Sequence, residues 1–149
     1  MEILKWGQYA VQPEPVGNGK QAQIFKGYDP IHNRPVAIKR TEDVKSFRQE
    51  AFVMQKCGNH RHLPHFYDFF TLDQKAYLVM EWIHGQTLRE KKKSFPEKTA
   101  VRMTLQLLEG LDRLHRNGFL HMDITSSNVM VVKDKPYTAK LIDFGRAVQ

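Results

Sequence analysis

The sequence predicts an α+β fold in which a sheet-rich half joins a helical half, giving two lobes with a cleft between them. Three observations carry this expectation. Strand-like alternation fills the first forty residues and returns at 65–83, with one helical stretch between. Residues 94–118 hold a single long helical repeat. A polar loop and two short β-like runs follow it.

The elements follow in order. QIFKGYD (23–29) and RPVAIKR (34–40) flank PIHN, whose Pro30 and Asn33 favour a turn, so the pair reads as a hairpin. In SFRQEAFVMQKC (46–57), Phe47, Ala51 and Met54 recur at helical spacing, with Ser46 as the expected cap. HFYDFFTLDQKAYLVMEWI (65–83) reads as two strands around the turn Asp73-Gln74-Lys75. In the long helix, Ser94 and Glu97 have the spacing of a capping box, Pro96 suits a first turn, and Gly118 is placed to end it. Val101, Leu105, Leu108, Leu111 and Leu114 form its expected apolar stripe. Met103 and Leu107 widen that surface, which predicts burial on several sides, or an exposed face that self-associates or binds a partner. HMDITSSN (121–128) is then a loop, VMVV (129–132) and AKLI (139–142) are strands, and DFG occupies 143–145.

With 149 residues, the chain is long enough for a real core. Its 41% hydrophobic and 26% charged content argues against extended disorder. Cys57 is the single cysteine, which excludes an internal disulfide and suits a reducing compartment. No stretch approaches the ~18 apolar residues of a membrane span, so the expectation is a soluble cytoplasmic protein. A net charge of +7 is compatible with nucleic acid, an acidic membrane surface or a polyphosphate ligand. The basic residues are dispersed, however, and REKKK (89–93) contains Glu90 and precedes a helix start. It reads as a solvated face, with neither a specific nucleic acid nor a membrane as partner. The histidines at 60, 62 and 65 have no cysteine or carboxylate beside them in sequence, and Cys57 has no evident catalytic partner. Loop and structural roles fit these residues better than a metal centre or a nucleophile.

The residues with chemistry are spread along the chain. In VGNGKQAQI (16–24), Gly17 and Gly19 allow backbone to approach a ligand, and Ala22 stands where a third glycine is often found. A dinucleotide-binding glycine motif opens a helix, whereas here a strand continues, so the glycines belong to a hairpin that is either a simple turn or a cover over phosphates. Strand parity puts Ala37 and Lys39 on one face of VAIK, with Val36 and Ile38 on the other. A small residue beside a lysine suits a flat ring over the strand with the ammonium at phosphate oxygens, and Glu50 is the candidate partner for that lysine. Asp143 follows an apolar strand, where a carboxylate can hold Mg²⁺. Asn128 could add a second metal oxygen, which leaves Asp123 to accept a hydroxyl proton.

Gly17-x-Gly19, VAIK with Lys39, helical Glu50, HMDITSSN and DFG, in this order and spacing, resemble the eukaryotic-like (Hanks-type) protein kinase family. The resemblance runs from about residue 8 to 147 and extends to small bacterial Ser/Thr kinases. It implies a protein-kinase-like fold with a β-rich N-lobe (1–81) and a truncated, mainly helical C-lobe (82–149) ending shortly after DFG. It also implies ATP and Mg²⁺ as cofactors and a protein Ser/Thr substrate. By the same match, Val16, Gly17, Asn18 and Gly19 belong to the loop over the phosphates, and Lys39 binds the α- and β-phosphates while paired with Glu50. Asp123 is the catalytic base, and Asn128 and Asp143 are the metal ligands. Ile24, Ala37 and Met130 enclose the adenine, Met80 is the gatekeeper, and Glu81, Trp82 and Ile83 form the hinge. His121 corresponds to a histidine that supports the loop backbone.

The pattern departs from the family at several points. Met122 replaces the arginine that usually contacts a phosphorylated activation loop, so phosphorylation there is not the expected switch. Thr125 replaces a lysine near the γ-phosphate, which removes a positive charge from the transition state. Only RAVQ follows DFG, so the sequence is expected to be either a fragment of a longer kinase or a minimal form without the substrate platform. Two alternatives to a protein kinase therefore stand: a catalytically weak, kinase-like ATP-binding module, and a small-molecule phosphotransferase.

Overall fold

The computed structural model describes residues 2–18, 22–92, 94–132 and 136–149. Seven strands form one antiparallel sheet. They are β1 (Leu4–Trp6), β2 (Tyr9–Val11), β3 (Gly17–Asn18), β4 (Gln23–Asp29), β5 (Arg34–Thr41), β6 (Phe66–Leu72) and β7 (Lys75–Glu81). Their order is β1-β2-β4-β5-β7-β6, with β3 on β4. The expected hairpin is β4–β5, in register from Gln23↔Arg40 to Asp29↔Arg34. The turn at 73–75 is a two-residue link: Asp73 and Gln74 take φ of 50° and 63°, and Lys75 already belongs to β7.

Parity sorts this sheet into two faces. Phe25, Val36, Ile38, Tyr77 and Val79 point into a core shared with Trp6, Tyr9 and Val11. Trp6 meets Phe25 edge-on at 4.9 Å, and Tyr77 stacks on Phe70 at 4.9 Å. Tyr9 donates its hydroxyl to Asp68 at 2.9 Å, and burial together with that carboxylate pushes its pKa above the ordinary tyrosine range.

Helix α1 runs Val44–Cys57 and buries Phe47, Ala51 and Met54, as their spacing predicts. Its cap differs from expectation. Asp43, not Ser46, closes the first turn by accepting from the Ser46 backbone N–H at 3.1 Å and from its hydroxyl at 2.6 Å. A carboxylate one residue before the helix reaches N3, whereas Ser46 is already inside the helix.

The chain divides into two compact units, Met1–Ala51 with Phe66–Trp82 and Phe52–His65 with Ile83–Gln149. Residues 52–65 thus group with the second unit. His62 explains part of this: its Nδ1 lies 2.9 Å from the Ala139 carbonyl, and its own carbonyl accepts from Leu141 N–H at 2.9 Å. The loop histidine is therefore a buried tie to a strand.

The second unit contains β8 (Gly85–Thr87), α2 (Glu97–Arg116), a 3₁₀ turn (Ser126–Asn128), β9 (Val129–Val132) and β10 (Thr138–Leu141), with sheet order β10-β9-β8. Among the described residues, no helix is long and apolar enough to cross a membrane. Two expectations for α2 are corrected. Pro96 occupies the cap position with no side-chain cap bond, so the Ser94/Glu97 box does not form. Ser94 stands two residues before the cap, too far out to reach the first free N–H groups. A reciprocal box instead joins Thr87 and Glu90. The Glu90 N–H donates to Thr87 Oγ1 at 3.1 Å, and the Thr87 N–H donates to Glu90 Oε1 at 3.1 Å.

The second correction concerns the stripe. The buried residues of α2 are Met103, Gly110 and Leu114, while Val101, Leu105 and Leu108 are exposed. Gly110 makes this possible, because a Cβ there would stand 3.1 Å from the His62 carbonyl oxygen. The end of α2 is as expected. Gly118, at φ 85°, donates to His115 O, and Phe119 donates to Leu114 O.

Candidate active site

In the first unit, strand pairing brings several of the expected residues together. Ile24 lies opposite Lys39, and Ala37 lies opposite Met80. Directly paired residues share a face, so Ile24, Ala37, Lys39 and Met80 line the side turned away from the aromatic core. Lys39 Nζ donates to Glu50 Oε1 at 2.6 Å, with only 11% and 3% of the two side chains exposed. The β5 pleat aims the lysine and the first turns of α1 supply the glutamate.

Gly17 pairs with Ile24, and the Val16 N–H donates to the Ile24 carbonyl at 2.7 Å. This closes the start of the glycine loop on β4. Gly19 and the side chain of Asn18 lie outside the described residues. Glu81 ends β7 and Trp82 follows it, with Lys26 Nζ 4.9 Å above the Trp82 ring. Sequence reasoning passed over Lys26. Its parity with Ile24, two residues earlier, was the available signal.

The second unit holds the other set. The His121 ring is buried, and its two nitrogens do different work. Nε2 donates to the Ile142 carbonyl at 3.0 Å, and Nδ1 accepts the Asp123 N–H at 3.1 Å. These partners define one neutral tautomer. They also tie the 121–128 loop to the residue before Asp143. Asn128 donates its amide to the Asp123 carbonyl at 2.8 Å and to the Asp123 carboxylate at 2.9 Å. The Ile142 N–H returns to the Asn128 carbonyl at 2.9 Å. Asp123, Asn128 and the approach to Asp143 thus form one network.

Asp143 itself has φ 62°, and its Oδ1 accepts the Gly145 N–H at 3.1 Å. Phe144 is buried and meets the His121 ring edge-on at 5.6 Å. Met122 also takes a left-handed backbone, φ 67°, and leaves its side chain 62% exposed. Two such residues, one inside the 121–128 loop and one just after β10, mark backbone held in costly conformations by its surroundings. Met130 sits on β9 opposite Lys140, and Ile83 begins this unit's second segment. The last residues fold back, with Leu120 and Val148 exchanging backbone hydrogen bonds.

Comparison with known proteins identifies the family. Residues 10–149 match the family model for the protein kinase domain. The chain is 33% identical over 144 residues to serine/threonine-protein kinase fray1 of Dictyostelium discoideum, covering 89% of this chain and 25% of that protein. It is also 33% identical over 154 residues to the probable serine/threonine-protein kinase YbdM of Bacillus subtilis (strain 168), covering 95% of this chain and 58% of that one. The solved apo form of PpkA-294 superimposes with a TM-score of 0.84 at 23% identity, covering 95% of this chain and 60% of that one. The chain therefore spans between a quarter and three-fifths of these relatives. The chain has a protein-kinase-like fold with a β-rich first unit, and it belongs to the protein kinase domain family.

Proposed function

We propose that the chain binds Mg-ATP and transfers the γ-phosphate to a serine or threonine hydroxyl of a protein. The observation that carries this reading is the buried Lys39–Glu50 pair on the face shared with Ile24, Ala37 and Met80. A buried ion pair does little for stability, because desolvation offsets the Coulomb gain. Beside a small Ala37 and two apolar neighbours, it suits a ring against the strand and an oriented ammonium at phosphate oxygens. Backbone groups of Glu81 and Trp82 at the end of β7 would meet the base. Val16, Gly17 and the following loop would cover the phosphates.

The residues present fit a magnesium ion. Both amide hydrogens of Asn128 point at Asp123 oxygens, so its Oδ1 is the group left to ligate, and Asp143 supplies a carboxylate. A carboxylate and an amide carbonyl are the hard oxygens this ion takes. When bound, magnesium neutralises charge on the phosphates. Asp123 would accept the acceptor hydroxyl proton, held in place by Asn128 and by the His121-bound backbone.

Incubation with γ-labelled Mg-ATP and a panel of protein acceptors tests transfer. Phosphoserine or phosphothreonine is expected with the wild-type chain and not with Asp123→Asn. Equal labelling by both would overturn the reading.

A second reading, a catalytically weak ATP-binding module, is favoured by Thr125. It is exposed and extended, φ −135°, at the position where the family usually carries a lysine. Thr125→Lys distinguishes the two. A rise in transfer at unchanged ATP affinity marks an enzyme working without one cation, and no transfer from either form marks the module.

A further inference from the structure

We infer that the acceptor is an acidic protein segment, whose carboxylates are taken up by Arg89 and Lys92 beside the loop that carries Asp123. The inference rests on the transfer reading above only in calling that segment a substrate.

Charge is divided unevenly along the fold. The first unit carries nine Lys and Arg and nine Asp and Glu, whereas the second carries fourteen against seven. The whole +7 excess therefore belongs to the unit that contains Asp123. A field of one sign draws in ligands of the other and biases which partner is met.

Backbone pairing brings part of that charge to the loop. The Leu88 N–H donates to the Val129 carbonyl at 2.8 Å, and the Arg89 N–H donates to the Ser126 carbonyl at 3.0 Å. Ser126 is three residues from Asp123, so the two lie at most roughly 11 Å apart even along an extended chain. A peptide whose hydroxyl meets Asp123 advances ~3.3 Å per residue when extended, so a carboxylate within about four residues of the acceptor reaches this segment.

The local contacts leave cations to offer. Arg89 and Lys92 are exposed. Glu90, the acid between them, has its Oε1 occupied by the Thr87 N–H at 3.1 Å and the Thr87 hydroxyl at 2.8 Å. Lys91 lies over the Tyr137 ring at 4.1 Å and the Phe95 ring at 5.7 Å. Those rings also meet each other edge-on at 5.6 Å. Aromatic groups engaged in this way are not a platform for stacked bases, which favours a peptide over a nucleic acid.

Fluorescence anisotropy with short labelled peptides tests the inference. Each carries a central alanine in place of the acceptor, so that binding is read without transfer, and flanks rich in glutamate, in lysine or in neutral residues. The glutamate peptide is expected to bind roughly 10-fold tighter than the neutral one, an advantage that shrinks as salt rises. Arg89→Glu combined with Lys92→Glu should abolish that advantage and leave the Mg-ATP affinity unchanged. Lys56→Glu combined with Arg61→Glu, an equal change of charge on the 52–65 segment, should preserve it. Circular dichroism checks that both variants are folded, which the exposure of all four side chains favours. With serine restored at the centre, the Arg89/Lys92 variant should phosphorylate the glutamate peptide with a raised KM at nearly constant kcat. Selective binding without any transfer would support the acidic site and count against the transfer reading alone. A glutamate peptide bound no better than the neutral one, or equal losses in the two double variants, would overturn the inference. So would an oligonucleotide of equal charge that bound more tightly with the same dependence on Arg89 and Lys92.

Discussion

The Asn128 side-chain amide holds both the backbone carbonyl and the carboxylate of Asp123, at 2.8 Å and 2.9 Å. One residue thus closes the 3₁₀ turn and aims the acid. Asp123→Asn keeps an acceptor for that amide, so it should fold and bind Mg-ATP normally while losing phosphoryl transfer. Asn128→Asp replaces the donor with a second carboxylate and should cost about 1–3 kcal/mol in stability as well as transfer. Urea denaturation with calorimetric ATP titration separates the two variants. Equal loss of nucleotide affinity in both would mean that Asp123 is misassigned.

Lys39 and Glu50 make a prediction about what the buried pair is for. Glu50→Leu alone leaves an ammonium buried and should destabilise the first unit by ~3 kcal/mol or more. Lys39→Met combined with Glu50→Leu should recover most of that stability, because two apolar groups replace two desolvated charges. ATP affinity should stay lost in the pair. Recovery of binding along with stability would show that the ammonium is not a phosphate ligand.

Ala37, Lys39 and Glu50 were legible because each sits on a regular element. Ala37 and Lys39 follow the two-residue strand period, and Glu50 follows from the helix at Phe47, Ala51 and Met54. The helix faces were harder to read. Periodicity groups Val101, Leu105 and Leu108 on one side of α2, but it does not say which side is covered. Gly110, the residue that lets α2 approach His62, carries no hydrophobic signal at all. The Thr87/Glu90 box was missed for a related reason. It caps a single turn inside a stretch that reads as solvated charge, and β8 before it is only three residues long.

Gly85 shows how close β8 lies to β9. A Cβ there would collide with the Val131 backbone carbonyl, which cannot rotate away. Gly85→Ala should therefore displace β8 and cost about 1–3 kcal/mol, as overpacking does. Loss of amide-exchange protection at Leu88, whose N–H donates to the Val129 carbonyl at 2.8 Å, is the local readout, and unchanged protection would contradict the placement.

Asp29 gives a pH dependence. Burial alone would raise its pKa, but donors from the His32 ring, the His32 and Ile31 backbone and the Gln8 amide outweigh it, so the net shift is downward. A depressed carboxylate stabilises the fold above its unfolded pKa of about 3.9 and loses that contribution as pH falls through the folded value. Asp29→Asn should be less stable than wild type at neutral pH by about 1–3 kcal/mol, and the gap should close in acid. Denaturant melts at the two pH values check it, and a gap that persists in acid would contradict it.

Thermal melting with and without millimolar Mg-ATP, on wild type and on Asp143→Asn, bears most directly on the nucleotide site. Ligand at ~100 times its Kd adds about 2.7 kcal/mol to the folded state, so wild type should melt several degrees higher with Mg-ATP. The increment should shrink when magnesium is replaced by a chelator and in Asp143→Asn. A folded wild-type chain whose Tm does not move with millimolar Mg-ATP would contradict the assignment of Lys39, Glu50, Asn128 and Asp143 to a nucleotide site.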